Sequence, residues 1–145
     1  MPEEETSFLI NCPIEQTWDI LNDFEALASA MPGFISYRAI DELNSEWKLK
    51  IDVGILSRLV NFKACITEKQ APEFISFDLK GLDENVMGKG ALSLQKQSTN
   101  ETSVTFKISL EAGGQTAPLV NSLVSSALRS QIGEFEERLR KLLVP

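Results

Sequence analysis

Two periods of apolar residues run through this chain, and they divide it. From Ile35 to Glu111 hydrophobic positions recur at every second residue, and from Pro118 onward at every third or fourth. In the first regime Ile35, Tyr37 and Ala39 alternate with Ser36 and Arg38, and Trp47, Leu49, Ile51 and Val53 alternate with Lys48, Lys50 and Asp52. Val60, Phe62, Ala64 and Ile66 follow the same rule, as do Ile75, Phe77 and Leu79. Val86, Gly88, Gly90, Leu92 and Leu94 form the fifth such run, and Val104, Phe106, Ile108 and Leu110 the sixth. Each pattern predicts a half-buried strand with one apolar and one polar face. Asp41–Ser45, Gln70–Pro72, Gly81–Asn85 and Ser98–Thr102 are polar or carry glycine or proline, and predict turns. Gly54–Ser57 predicts a connection of unusually apolar content.

The second regime predicts one helix over Pro118–Leu143. Val120, Val124, Leu128 and Ile132 form one row, Leu119, Leu123 and Ala127 a second, and Phe135, Leu139 and Leu142 continue the stripe. Proline suits a first helical turn, where its missing N–H had no partner to lose. At about 1.5 Å per residue the rod spans about 39 Å, the width of a small domain. Its first half, rich in Ser and Ala, reads as buried almost all round. The second half, EFEERLRKLL, has a narrow apolar stripe flanked by charges and reads as a half-exposed clamp.

Upstream, Ser7–Asn11 predicts a short strand. Pro13 then opens a helical segment in which Ile14, Trp18 and Leu21 share one face, so Trp18 points inward. Asp23 caps a second short helix, Phe24–Met31, closed by Met31-Pro32-Gly33. The order is β-α-α-β6-α, an α+β chain forming a single domain over residues 1–145. A meander of strands with one greasy face and a long helix with one greasy stripe are satisfied together by a curved antiparallel sheet wrapped around the C-terminal helix. Gly88 and Gly90 support this, since strand glycines mark a bend or a close approach.

Composition narrows the function classes. At 145 residues the chain buries enough surface to fold without a disulfide or metal. Cys12 and Cys65 have no metal-ligand spacing and predict reduced thiols in a cytoplasmic protein. A net charge of −7 with no basic cluster argues against nucleic acid. The acidic start MPEEET is unlike a signal peptide, and no run of about 18 apolar residues predicts a membrane span. The chain has no histidine, which removes the commonest general base and metal ligand. No phosphate loop, catalytic triad or metal cluster is present, so no catalytic residue, metal or cofactor is expected.

Several stretches together resemble a known family. They are Pro13, Trp18 and Leu21-Asn22-Asp23 in CPIEQTWDILND, Met31-Pro32-Gly33, Lys50-Ile51-Asp52-Val53-Gly54, Ile66–Glu73 (ITEKQAPE), the glycine strand GKGALSL and the Gly113-Gly114 helix entry. The chain resembles the START-like (SRPBCC, Bet v 1-like) superfamily, and within it the CoxG subunit of carbon monoxide dehydrogenase. The resemblance implies the helix-grip fold and a cavity for a hydrophobic small molecule, such as a lipid or an isoprenoid quinone, between sheet and helix.

The inward positions supply the expected lining: Trp18, Tyr37, Leu49, Phe62, Phe77, Leu92 and Phe106 from the body, and Leu123 and Ala127 from the helix. Small residues at Ala64, Gly88, Gly90, Ser122, Ser126 and Ala127 leave room if they face one another. Ile55–Val60 and the helix Phe24–Met31 are expected to form the mouth, with Arg58 and Lys63 near it. The first reading is a non-enzymatic carrier that touches a membrane or a redox enzyme transiently, cytoplasmic or peripheral at the membrane. The resemblance implies two others: an assembly or membrane-docking factor for a carbon monoxide dehydrogenase or related redox enzyme, and a cyclase- or dehydratase-like enzyme in which Tyr37 donates a proton.

Overall fold

The structure, a computed structural model, describes residues 3–53, 56–115 and 117–144, without the side chains of 52, 53, 56, 117, 119, 120 and 123. Strand β1 (Glu3–Ile10) leads into two short helices, α1 (Ile14–Leu21) and α2 (Phe24–Ser29). Six strands follow: β2 (Phe34–Ala39), β3 (Asn44–Val53), β4 (Leu56–Gln70), β5 (Phe74–Gly81), β6 (Val86–Ser98) and β7 (Glu101–Ala112). Helix α3 (Ala117–Leu143) closes the chain. The strands form one antiparallel sheet in the order β1-β7-β6-β5-β4-β3-β2, so the amino-terminal strand closes the far edge against β7. Helix α3 crosses the inner face and touches β1, β7 and β3, which curvature alone brings under one helix. This is the α+β helix-grip architecture expected from the two periods.

The structure departs from the expected pattern in three places, each with a physical reason. The alternation Ile35, Tyr37, Ala39 does not hold in β2. A register shift between Phe34 and Ser36 turns Phe34 and Tyr37 toward the core and leaves Ile35 exposed. Such shifts are common at sheet edges, and β2 is an edge strand. The connection expected at Gly54–Ser57 is shorter, because β4 begins at Leu56 and Ser57 pairs with Asp52; residues 54 and 55 lie outside the described ones. The turn expected at Ser98–Thr102 is tighter, because β6 runs to Ser98 and β7 resumes at Glu101. Thr102 is fully buried there, and its hydroxyl donates to the Cys12 carbonyl at 2.7 Å. A hydroxyl with a partner can occupy a core position, which hydrophobic patterning does not register.

The core has a solid side and a loose side. On the solid side the rings of Phe24, Trp47 and Phe77 meet pairwise with centroids 5.1–5.3 Å apart. The Trp47 indole N–H donates to the buried Ser45 hydroxyl at 2.9 Å, so the ring is buried without an orphan donor. Short helices α1 and α2 cover this side, which is why the inward residues of β4 to β6 are sealed. Gly90 belongs to it. A Cβ there would stand 2.2 Å from Cζ of Phe77, so the missing side chain lets the ring lie flat on β6. We expect Gly90→Ala to cost about 1–3 kcal/mol through overpacking. Chemical denaturation would show this, and Phe77→Leu in the same chain should recover part of it; equal stability of Gly90→Ala and wild type would mean the ring yields freely.

Along α3 the expected order of burial is reversed. In the second half Phe135, Leu139 and Leu143 are buried, whereas Val124 is the buried residue among the described side chains of the first half. Ser122 and Ser126 are exposed. The second half is also tied down. Thr6 donates to Glu136 at 2.8 Å, Arg140 donates to the Leu9 carbonyl at 3.1 Å, and the Arg140 guanidinium stacks 4.7 Å over the Phe8 ring. The charges expected to mark a half-exposed face thus anchor it by reaching onto β1. The first half is held at its start by Asn121, whose amide exchanges two hydrogen bonds with the Ala112 backbone, and by an exposed Arg129–Glu4 pair.

Candidate functional site

The loose side is a cavity of about 60 Å³ under the first half of α3. Leu49 and Ile51 of β3 form one wall, and Phe106, Ile108 and Leu110 of β7 form the other. Helix α3 roofs it with a row at spacings of three and four: Val124, Ala127, Leu128, Gln131, Ile132 and Phe135. Met31 and Pro32 border the rim. That rim is fixed from two sides. Gly33 has φ +78° and lies so close to β3 that a Cβ would stand 2.0 Å from the Lys50 carbonyl, while Lys50 N–H donates to Gly33 at 2.8 Å. From the helix, Arg138 donates to the Met31 carbonyl at 3.3 Å.

At one end the cavity is floored by rings. Phe106 and Phe135 stack with centroids 4.1 Å apart, and Phe106 continues to Phe77 at 6.5 Å. The floor therefore joins the solid aromatic core. At about 10–15 Å³ per water-sized sphere, 60 Å³ holds roughly four to six such positions, or a short apolar segment. A larger guest has to move the first half of α3 outward, the part of the helix with the least buried surface.

Of the lining expected from the sequence, Leu49, Phe106 and Ala127 stand in the cavity wall. The Leu123 side chain lies outside the described residues. Trp18, Phe62, Phe77 and Leu92 are buried in the solid core, because α1 and α2 occupy the space in front of β4 to β6. Tyr37 packs half-buried on β2, away from the wall. Of the small residues expected to leave room, Ala127 lines the cavity, Ala64 is fully buried in the core, and the gap at Gly90 is filled by Phe77. The expected mouth is reached in part. Met31 lies at the rim, but Ser57–Val60 belong to β4, Leu59 is exposed, and Ile55 and the Leu56 side chain lie outside the described residues. Arg58 is held in an ion pair with Glu84, and Lys63 is exposed beside Glu46 and Lys80 in the sheet register.

Seven wall residues escaped the sequence reading: Met31, Pro32, Ile108, Leu110, Gln131, Ile132 and Phe135. Ile108 and Leu110 continue the alternation of Phe106, and Ile132 and Phe135 continue the row of Ala127 and Leu128. The signal was present in the period. What was missing was where along each element the gap falls.

Among the described residues the wall holds no titratable side chain. The shifted group among the described residues is Asp41, far from the cavity in the β2–β3 turn. Its carboxylate accepts from the Leu43 and Asn44 backbone N–H groups and the Asn44 amide, and these bonds, Leu43 first, hold its pKa below the ordinary value. No group of three His, Cys, Asp or Glu among the described residues is placed to hold a metal ion. Cys12 and Cys65 are free. No described helix is long and apolar enough to cross a membrane.

Comparison with known proteins agrees with this architecture. Residues 7–143 match the family model of CoxG, the G-type subunit of carbon monoxide dehydrogenase. No curated protein matches the sequence. Among solved structures, a conserved protein from Geobacillus kaustophilus is similar at TM-score 0.79 and 20% identity, covering 97% of this chain and 94% of that one. The Zhui aromatase/cyclase from Streptomyces sp. R1128 follows at 0.73 and 13%, covering 97% and 92%. A START superfamily protein from Mycobacterium smegmatis is similar at 0.68 and 17%, covering 97% and 98%. At these identities the structural likeness shows the fold.

Proposed function

The chain belongs to the carbon monoxide dehydrogenase CoxG family, and from that premise we propose that it is a carrier of a hydrophobic small molecule, a lipid or an isoprenoid quinone. The observation that carries the reading is the cavity between β3, β7 and the first half of α3, walled almost wholly by apolar side chains. Burying apolar ligand surface contributes roughly 25 cal/mol per Å², enough for useful affinity once the cost of association is subtracted. Loading and release take place through movement of the first half of α3, at a membrane surface or a redox enzyme. Solvent extraction and mass spectrometry of the protein purified from its source organism test this. A stoichiometric lipid or quinone is the expected result, and a protein without bound apolar compounds would contradict it.

A second reading follows from the family's description: the chain docks or assembles a dehydrogenase, and its cavity is residual. A stable complex with such an enzyme, formed equally well after the cavity is filled, would favour it. Catalysis of the aromatase/cyclase kind finds less support, because no described wall residue can exchange a proton at neutral pH.

The movement has a natural hinge. Gly133 lies inside α3 at the border between its loose and anchored halves, with nothing within 4 Å of where a Cβ would stand. Glycine costs a helix interior about 1 kcal/mol relative to alanine. Gly133→Ala is therefore expected to raise stability by about 0.5–1 kcal/mol and to slow release of a bound apolar dye in stopped-flow measurements. Unchanged release would place the movement elsewhere.

A further inference from the structure

Gln131 stands on the roof of the cavity, between Ala127 one turn before it and Phe135 one turn after it. Among the described residues it carries the one hydrogen-bonding side chain in a wall that is otherwise hydrocarbon, thioether or ring. Its amide makes no hydrogen bond to another described residue. It is half-exposed, so water can serve it while the cavity is open. A guest that fills the cavity removes that water. A purely hydrocarbon guest would then leave the amide unpaired, a loss of about 1–3 kcal/mol.

The same wall rules on charge. Its described residues include no cation, and the arginines nearest the cavity are already engaged: Arg138 with Glu134 and the Met31 carbonyl, Arg129 with Glu4, Arg58 with Glu84. An ionised group brought into this wall would be desolvated without a partner, the costliest form of burial.

We propose that the cavity selects an uncharged apolar ligand bearing a carbonyl or hydroxyl group, and that the Gln131 amide is the group that reads it. A primary amide both donates and accepts, so it matches a ketone, an ester or an alcohol. This inference rests on the cavity being a ligand site, and it adds which chemistry that site accepts. It makes Gln131 a specificity-determining residue on a face where helical periodicity alone calls for another Leu or Ile.

The test is displacement of Nile red from the full chain by octane, 2-octanone and octanoate at pH 7.5, with wild type and Gln131→Leu. In wild type, 2-octanone is expected to compete best and octanoate worst. In Gln131→Leu the advantage of 2-octanone over octane is expected to fall by about tenfold, the loss of one hydrogen bond of about 1.4 kcal/mol. Octane itself should bind as well as before or better, which also shows that the variant is folded. An unchanged ratio of ketone to alkane would overturn the role of Gln131 and leave the cavity reading standing. Octanoate binding as tightly as 2-octanone would overturn the selection against charge. Failure of all three to displace the dye would remove the ligand site itself.

Discussion

Phe135→Ala is expected to lower stability by about 3–5 kcal/mol, the range for removing a fully buried aromatic ring. Phe135 is 1% exposed, stacks on Phe106 at 4.1 Å and anchors the half of α3 that holds the helix to the sheet. Its loss removes the stack and the floor of the cavity together. Equilibrium denaturation in urea should show a lower midpoint with an unchanged slope, because the surface exposed on unfolding hardly changes. The enlarged cavity should also bind apolar probes, and their addition should restore part of the lost stability by mass action. A loss below about 1 kcal/mol, far under the ordinary range, would mean that the helix is held by its polar ties to β1, from Thr6, Arg140 and Phe8.

The second large effect concerns binding. Ala127 projects into the cavity from a half-buried position on the loose half of α3. In Ala127→Trp an indole has to occupy a space of about 60 Å³, which leaves no room for a guest. Affinity for apolar probes is expected to fall by about a hundredfold or more, equivalent to about 2.7 kcal/mol. Stability should change by no more than about 1–3 kcal/mol, the usual range for overpacking, because this half of the helix can shift outward. Unchanged binding in a folded variant would place the guest elsewhere. The two substitutions separate the halves of α3: one removes the anchor and keeps the space, the other removes the space and keeps the anchor.

Much of the fold was legible because its two periods are long and clean. Alternation from Trp47 to Leu110 predicts the strands of the meander, and the row from Val124 to Leu139 predicts the helix. Both signals report which face is apolar. They do not report how far from the neighbouring layer that face lies. Phe77 and Phe106 look alike in sequence, since each sits on the inward face of a central strand. Phe77 is sealed by Phe24 and Trp47, whereas Phe106 borders the cavity, and the difference lies in where α2 comes to rest. The reversal of burial along α3 has the same origin. The serine- and alanine-rich half looks suited to close packing, yet it stands over a gap, while the charged half binds the sheet through Phe135, Leu139 and long side chains that reach past its edge. In β2 the fault is local: one register shift at Phe34/Ser36 exchanges the faces, which no periodicity within six residues can reveal.

The central claim, that the space between β3, β7 and the first half of α3 is where an apolar guest sits, is tested most directly by methyl NMR during titration with 2-octanone. The methyl signals of Ile51, Ile108, Ala127 and Ile132 should shift with one common affinity, while those of Ile75 and Leu79, buried in the solid core, stay still. Shifts confined to the exposed methyls of Leu9, Leu59 and Leu82, or no saturable shift at all, would contradict it.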